Sequence, residues 1–404
     1  MSALYKQFRL ALKTQNGHAL GAVFSPRNAD ISSFAFSTNH ANVRRDIEYE
    51  LSQLPAKSRP AWVEAFIGLW KVAYTLERDE EPGAWARAYE GQKETMLAVV
   101  RGYQNASWPH WTLPVMYTAC KYLRTIAMKA DEEGKTGCLE DAARIVNRAF
   151  TVCISDRAPL EESRKWGTYY IVNLLFKTYF KLNAITLSKN ILRALAATTA
   201  DMPPLSAFPK AHQVTFKYYV GVIYFLEENY ALAGENLMDA WKLCHPDATR
   251  NQELILTYLI PTKLCTTHTL PTAALLSRYP RLHALFAPLC TTIKSGNLIA
   301  FDAAMAAGEQ EFVKRRIFLT LERGREIAMR NLFRKVYLYC DKSTRIPVRT
   351  FQAAMGSGKV EVEGEEVECL IAGLIYKGLV KGYISREKQM VVLSGTMAFP
   401  GTGV

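Results

Sequence analysis

The 404-residue chain is short of acid, of paired cysteines and of long apolar runs. No stretch of about 18 apolar residues occurs, so no membrane-spanning helix is expected. The N-terminal stretch Met1 to Leu12 carries Lys6 and Arg9, followed by Lys13, in an amphipathic pattern. It lacks the continuous apolar segment of a signal peptide. None of the eight cysteines (Cys120, Cys138, Cys153, Cys244, Cys265, Cys290, Cys340 and Cys369) forms a C-x-x-C pair, and most lie in apolar helical text. Free, buried thiols in a reducing compartment are expected rather than a disulfide framework. There the acceptor pattern Asn105-Ala106-Ser107 would stay unglycosylated.

The usual catalytic parts are missing too. The seven histidines are scattered, and only His245 adjoins a cysteine, Cys244. Adjacent residues on a helix point apart, so they make no half of a zinc site. Gly356-Ser357-Gly358-Lys359 resembles a phosphate loop but has Ala353 and Val360 where that motif needs Gly and Ser or Thr. No strand precedes it, and it reads as a loop between helices. There is no HExxH sequence and no nucleophile elbow. Glu361, Glu363, Glu365, Glu366 and Glu368 read as a solvated acidic face. No enzymatic activity, cofactor or metal is expected.

What is present is helix. Hydrophobic residues make up 49% and charged ones 22%, enough apolar content for a large core. Trp62, Phe66, Leu69, Trp70 and Ala73 form one stripe at helical spacing, as do Leu113, Met116, Tyr117, Cys120 and Leu123. Lys165 to Leu182 reads as a long aromatic helix, and Asp201 to Pro209, with three prolines, as a linker. Gly221, Tyr224, Ala233, Leu237 and Ala240 fall at the spacings of a tetratricopeptide repeat, with Asn229-Tyr230 as the turn; Lys217 stands at the Trp position. Asn183 to Ala194 echoes the pattern more weakly. Near the C-terminus the rhythm changes. Arg330 to Cys340, Pro347 to Met355 and Glu365 to Tyr376 read as three short helices, and Gly378 stops the last. Val380 to Ser385 and Gln389 to Ser394 alternate as two strands. Three helices and a hairpin make a winged helix; Gly395 to Val404 reads as a loose tail. The fold class is mainly α: a TPR-like helical-repeat solenoid ending in a winged helix. The expected divisions are 1–200, 210–325, 326–395 and a tail, 396–404.

The net charge is +12 and the pI about 9.2, which favours polyanionic partners. From Lys314 to Arg349 the chain has eleven basic residues (Lys314, Arg315, Arg316, Arg323, Arg325, Arg330, Arg334, Lys335, Lys342, Arg345 and Arg349). Only Glu322, Glu326 and Asp341 oppose them, a net of +8 in 36 residues. Arg330 and Arg334, four apart, are expected on one helix face, with Tyr337 and Tyr339 interleaved. Lys377, Lys381, Arg386 and Lys388 add a second group at the end of the third helix and on the wing. Such a surface binds phosphates in a salt-sensitive way with little sequence preference. A solvated or partner-facing basic surface is the plainer alternative.

Five segments resemble one family: Trp111-Thr112-Leu113-Pro114-Val115-Met116-Tyr117, Glu162-Ser163-Arg164-Lys165-Trp166-Gly167, Thr215-Phe216-Lys217-Tyr218-Tyr219-Val220-Gly221, Arg330-Asn331-Leu332-Phe333-Arg334-Lys335-Val336-Tyr337 and Lys377-Gly378-Leu379-Val380-Lys381-Gly382-Tyr383-Ile384-Ser385. They are similar to the PCI-domain family of COP9 signalosome subunit twelve and PCI-domain-containing protein two, over about Trp108 to Ser394. The resemblance implies a non-catalytic scaffold that pairs with a second PCI subunit of the Sac/GANP type. It also implies a small acidic Sem/DSS-type protein on the helical body, and RNA, with DNA as a further ligand, on paired winged helices. Such an assembly resembles the complexes linking transcription, splicing and mRNA export, which places the chain in the nucleus with a cytoplasmic pool. By position, the resemblance makes Arg330, Arg334, Lys335, Lys377, Lys381, Arg386 and Lys388 nucleic-acid residues, and the basic cluster adds Arg345 and Arg349 as candidates. Lys165, Lys177, Lys181 and Lys217 are the candidates for the acidic peptide. The alternative is an accessory signalosome subunit that touches no nucleic acid.

Overall fold

The structure is a computed structural model that describes residues 3–78, 82–356 and 363–401. Ser357, Gly358, Lys359, Val360 and Glu361 lie outside these, as do residues 402–404. Among the described residues are twenty α-helices, the predominantly helical class that the periodicity predicts, and one three-stranded sheet near the C-terminus, two strands of which were expected. None of these helices is long and apolar enough to cross a membrane. The chain divides into two compact units, Met1–Tyr219 and Val220–Val404, with the division inside helix Lys210–Leu226.

The first unit is built on close helix approach. Helices Arg59–Arg78 and Ala84–Asn105 meet at Gly68 and Gly91, where an added Cβ on Gly68 would lie 2.6 Å from the Gly91 carbonyl oxygen. Only glycine lets the two backbones come that near. The predicted stripe faces this core: Trp62, Phe66, Leu69, Trp70 and Ala73 are all buried. Phe66 sits among Tyr5, Phe8, Phe24 and Phe34, and Trp62 stacks on Trp108 at 3.7 Å. The long aromatic helix is real but shorter than read, Thr168–Lys181, because a 3-10 turn, Arg164–Gly167, precedes it. That turn carries a buried ion pair. Asp156 accepts hydrogen bonds from Arg164 Nη2 at 2.6 Å, the Arg164 backbone N–H at 2.7 Å and Ser163 Oγ at 3.0 Å. Arg164 Nη1 also donates to the Tyr103 carbonyl at 2.9 Å. The stretch from Asp201 to Pro209 is packed rather than loose. Phe208 is buried against Trp166 and Tyr169, and Gln213 Nε2 donates to its carbonyl at 2.6 Å.

In the second unit the repeat signature does what its spacing requires. Ala233, Leu237 and Ala240 are fully buried, and a Cβ on Gly221 would meet Leu237 Cγ at 2.7 Å. Asn229 caps helix Tyr230–Leu243 by accepting from the Leu232 N–H at 3.2 Å. The winged helix runs through helix Gly324–Tyr339, strand β1 (Arg345–Pro347), helices Val348–Met355 and Gly364–Tyr376, and strands β2 (Gly382–Ser385) and β3 (Met390–Leu393). The antiparallel sheet has the order β1-β3-β2. Ile346, Val391 and Leu393 point into the core, where Phe333 meets Phe351.

Two expectations change here. Strand β1 was not read from the sequence, since it has three residues and ends in proline. The tail is not loose as far as it is described. Ala398 is buried and its carbonyl accepts from the Lys381 N–H at 2.8 Å. Arg330, only 4% exposed, donates to the carbonyls of Pro400 at 2.7 Å and Phe399 at 3.3 Å and to Asn331 Oδ1 at 2.8 Å. A buried guanidinium needs acceptors, and the tail supplies them.

Two stability predictions follow from these contacts. Burial would raise the Asp156 pKa, but Arg164 and Ser163 more than offset this and hold it at about 2. A depressed carboxylate stabilises the fold above its unfolded pKa of about 3.9 and loses that contribution as pH falls. Stability against urea is expected to drop between pH 4 and 2, and Asp156→Asn should remove that component of the pH profile. Deleting residues 398–404 should destabilise the chain by about 3 kcal/mol, the cost of leaving a buried charge without partners. Arg330→Met in the shortened chain should restore part of that loss, read as a urea midpoint.

Candidate nucleic-acid interface

The basic cluster looks different once folded. Arg315 pairs with Glu311, Arg323 with Glu228 at 2.6 Å, and Arg325 with Asp302 through two contacts at 2.9 and 3.2 Å. Arg323 also lies over the Tyr230 ring. All three acids, Glu311, Glu228 and Asp302, lie outside the counted window, so the local net of +8 overstates the open charge. Lys314, Arg334, Lys342, Arg345 and Arg349 are exposed and form no ion pair among the described residues.

The nine residues proposed for nucleic acid are not equivalent. Arg334, Arg345 and Arg349 stand on the first helix, β1 and the second helix of the winged helix, open to solvent. Lys381 and Lys388 are exposed, just before β2 and in the hairpin turn. Lys335 is exposed, with Nζ donating to the Ser295 carbonyl at 2.6 Å. Lys377 pairs with Glu326, and Arg386 with Glu365 at 3.2 Å, with Glu368 at 3.9 Å. Arg330 is a correction. It does not share an open face with Arg334, because its guanidinium is buried on the tail carbonyls and under the Phe399 ring. Burial, and then the charge of Arg334, lower its pKa.

The third helix, Gly364–Tyr376, has no Lys or Arg and carries Glu365, Glu366 and Glu368. Helix-turn-helix proteins place a recognition helix in the DNA major groove. An acidic helix is repelled by the phosphates on either side. The open positive charge lies instead around the sheet and the two preceding helices.

In the first unit, the four lysines proposed for an acidic peptide also separate. Lys165 Nζ donates to the Asp201 carbonyl at 3.1 Å. Lys217 is half-buried and already has a partner. Lys181 is exposed at the end of helix Thr168–Lys181. Lys177 is part of a cluster the sequence reading missed. Arg124 Nη2 donates to the Lys177 carbonyl at 3.4 Å, and the His212 ring meets Tyr170 at 5.3 Å. Lost hydration, and then Arg124, lower the Lys177 pKa; lost hydration, and then Lys177, lower that of His212. Lost hydration also lowers the Arg124 pKa. Arg124 Nε and His212 Nδ1 are buried without a hydrogen-bond partner, and no carboxylate pairs with Arg124 or Lys177 among the described residues. No signal in the local sequence joins these residues, which come from three helices.

The chain matches the PCI domain over residues 305–394. It is 47% identical to Protein CSN12 homolog of Neurospora crassa and 46% identical to that of Gibberella zeae, in both cases over 100% of each chain. It is 37% identical to PCI domain-containing protein 2 of Xenopus laevis, over 78% of this chain and 79% of that protein. PCI-domain proteins are generally non-catalytic scaffolds of multisubunit complexes. With identity of this extent running the full length of the chain, the protein belongs to the family of CSN12 homologues and PCI domain-containing protein 2.

Proposed function

We propose that the chain is a non-catalytic scaffold subunit of a nuclear complex that binds RNA and serves transcription, splicing and mRNA export. In this reading it pairs with a Sac/GANP-type PCI subunit and a small acidic Sem/DSS-type protein. One observation carries the nucleic-acid part: Arg334, Lys342, Arg345, Arg349, Lys381 and Lys388 of the winged helix are exposed and form no ion pair among the described residues. The acidic partner is supported by the Arg124, Lys177 and His212 cluster, whose cations and orphaned nitrogens lack acids. An acidic peptide laid there would supply the missing carboxylates. The accessory-subunit reading is favoured by the internal pairing of Arg315, Arg323 and Arg325, which shrinks the open cationic surface.

The test is co-expression with the second PCI subunit and the acidic protein, followed by RNA affinity against salt. Affinity should fall steeply with salt, and Arg334→Ala with Arg349→Ala should reduce the log–log slope by about 2, one per lost phosphate contact. A stable assembly that binds no RNA would leave the accessory reading standing. Separately, Lys177→Glu should weaken capture of the acidic protein about tenfold or more, by setting like charges against each other, while leaving the salt slope for RNA unchanged.

A further inference from the structure

The strand register of the winged helix sets residues from all three strands in rows. Arg345 of β1 pairs with Val392 of β3, which pairs with Tyr383 of β2. Pro347, Met390 and Ser385 form a second such row, two residues further along. Side chains alternate along a strand, so these six share one face. The alternate positions Ile346, Val391 and Leu393 are 1%, 0% and 4% exposed, which fixes the Arg345–Tyr383 face as the outer one. Tyr383 is 63% exposed there. Its ring pairs with no other ring, and its hydroxyl has no partner among the described residues. Two strand spacings put Tyr383 and Arg345 about 10 Å apart.

Cations rim this face. Lys342 and Arg349 flank β1, Lys381 lies two residues before Tyr383, and Lys388 stands in the turn between β2 and β3. All four are exposed and unpaired among the described residues. Asp341 and Glu387 are the acids in the same stretches. A flat face with an open aromatic ring and surrounding positive charge is the chemistry that holds unstacked bases and their backbone. A duplex presents no base faces, and the helix that would enter its groove is acidic.

We infer that the outer face of the three-stranded sheet binds single-stranded nucleic acid, with the Tyr383 ring stacking on a base and Arg345 meeting the adjoining phosphate. The aromatic ring is the sequence-tolerant contact, since every base has a face to stack. This rests on the reading of the winged helix as the nucleic-acid side and names the form of nucleic acid it takes.

The test uses the full chain, co-expressed with its PCI partner, and a fluorescent single-stranded oligouridine alongside a duplex RNA of equal length. The single strand should bind more tightly than the duplex. Tyr383→Ala should weaken single-strand binding about tenfold, within the range for loss of one stacked base, while Tyr383→Phe keeps it. Tyr376→Ala serves as the control, because Tyr376 is 92% exposed but ends the acidic third helix; it should bind as the unaltered chain does. Unchanged affinity in Tyr383→Ala, an equal loss in Tyr376→Ala, or tighter duplex binding would each overturn the assignment while leaving RNA binding itself in place. Absence of binding to either RNA would remove both this assignment and the broader function.

Discussion

A surplus of twelve positive charges must be accommodated by one folded chain, and the way it is shared out shapes both units. Some cations are neutralised by acids distant in sequence, as Arg323 is by Glu228 and Arg325 by Asp302. One, Arg330, is taken into the core, where it requires backbone acceptors from the tail. The remainder stay open. Exposed ion pairs contribute little to stability, typically under about 1 kcal/mol, so the paired arginines matter mainly because they are removed from the binding surface. On the winged helix, Arg334, Lys342, Arg345, Arg349, Lys381 and Lys388 are open.

The two surfaces differ in the way they hold charge. Around the sheet, the cations are solvated and carry little internal penalty, which suits a polyanion that is gripped and released with salt. In the first unit, Lys177 stands exposed beside the half-buried Arg124 and His212, whose Nε and Nδ1 are buried without a hydrogen-bond partner among the described residues. A carboxylate bound there would give those nitrogens an acceptor, as the proposed acidic partner requires.

The helical architecture was legible because it is written locally. The Trp62 stripe repeats at helical spacing and is buried, and the Gly221–Leu237 pairing follows from the repeat signature. The third helix and the hairpin were marked by Gly378 and by alternation. What stayed hidden depends on residues far apart. Strand β1 exists because β3 offers it a partner, a reason absent from Arg345-Ile346-Pro347 itself. Helical spacing put Arg330 and Arg334 together, but the acceptors that draw Arg330 inward lie about 70 residues away, at Phe399 and Pro400. Counting charge in a window likewise missed Glu228 and Asp302. For the candidate sites, residue type and general location could be read, while the face each residue occupies needed the fold.

The most direct test of the account is photocrosslinking of 4-thiouridine RNA to the assembled complex, with the crosslinked peptides of this chain identified by mass spectrometry. The account predicts crosslinks in the peptides holding β1 and the β2–β3 hairpin, with Tyr383 as a principal site. Crosslinks confined to the helix Gly364–Tyr376, or an assembly that yields none in this chain, would contradict it.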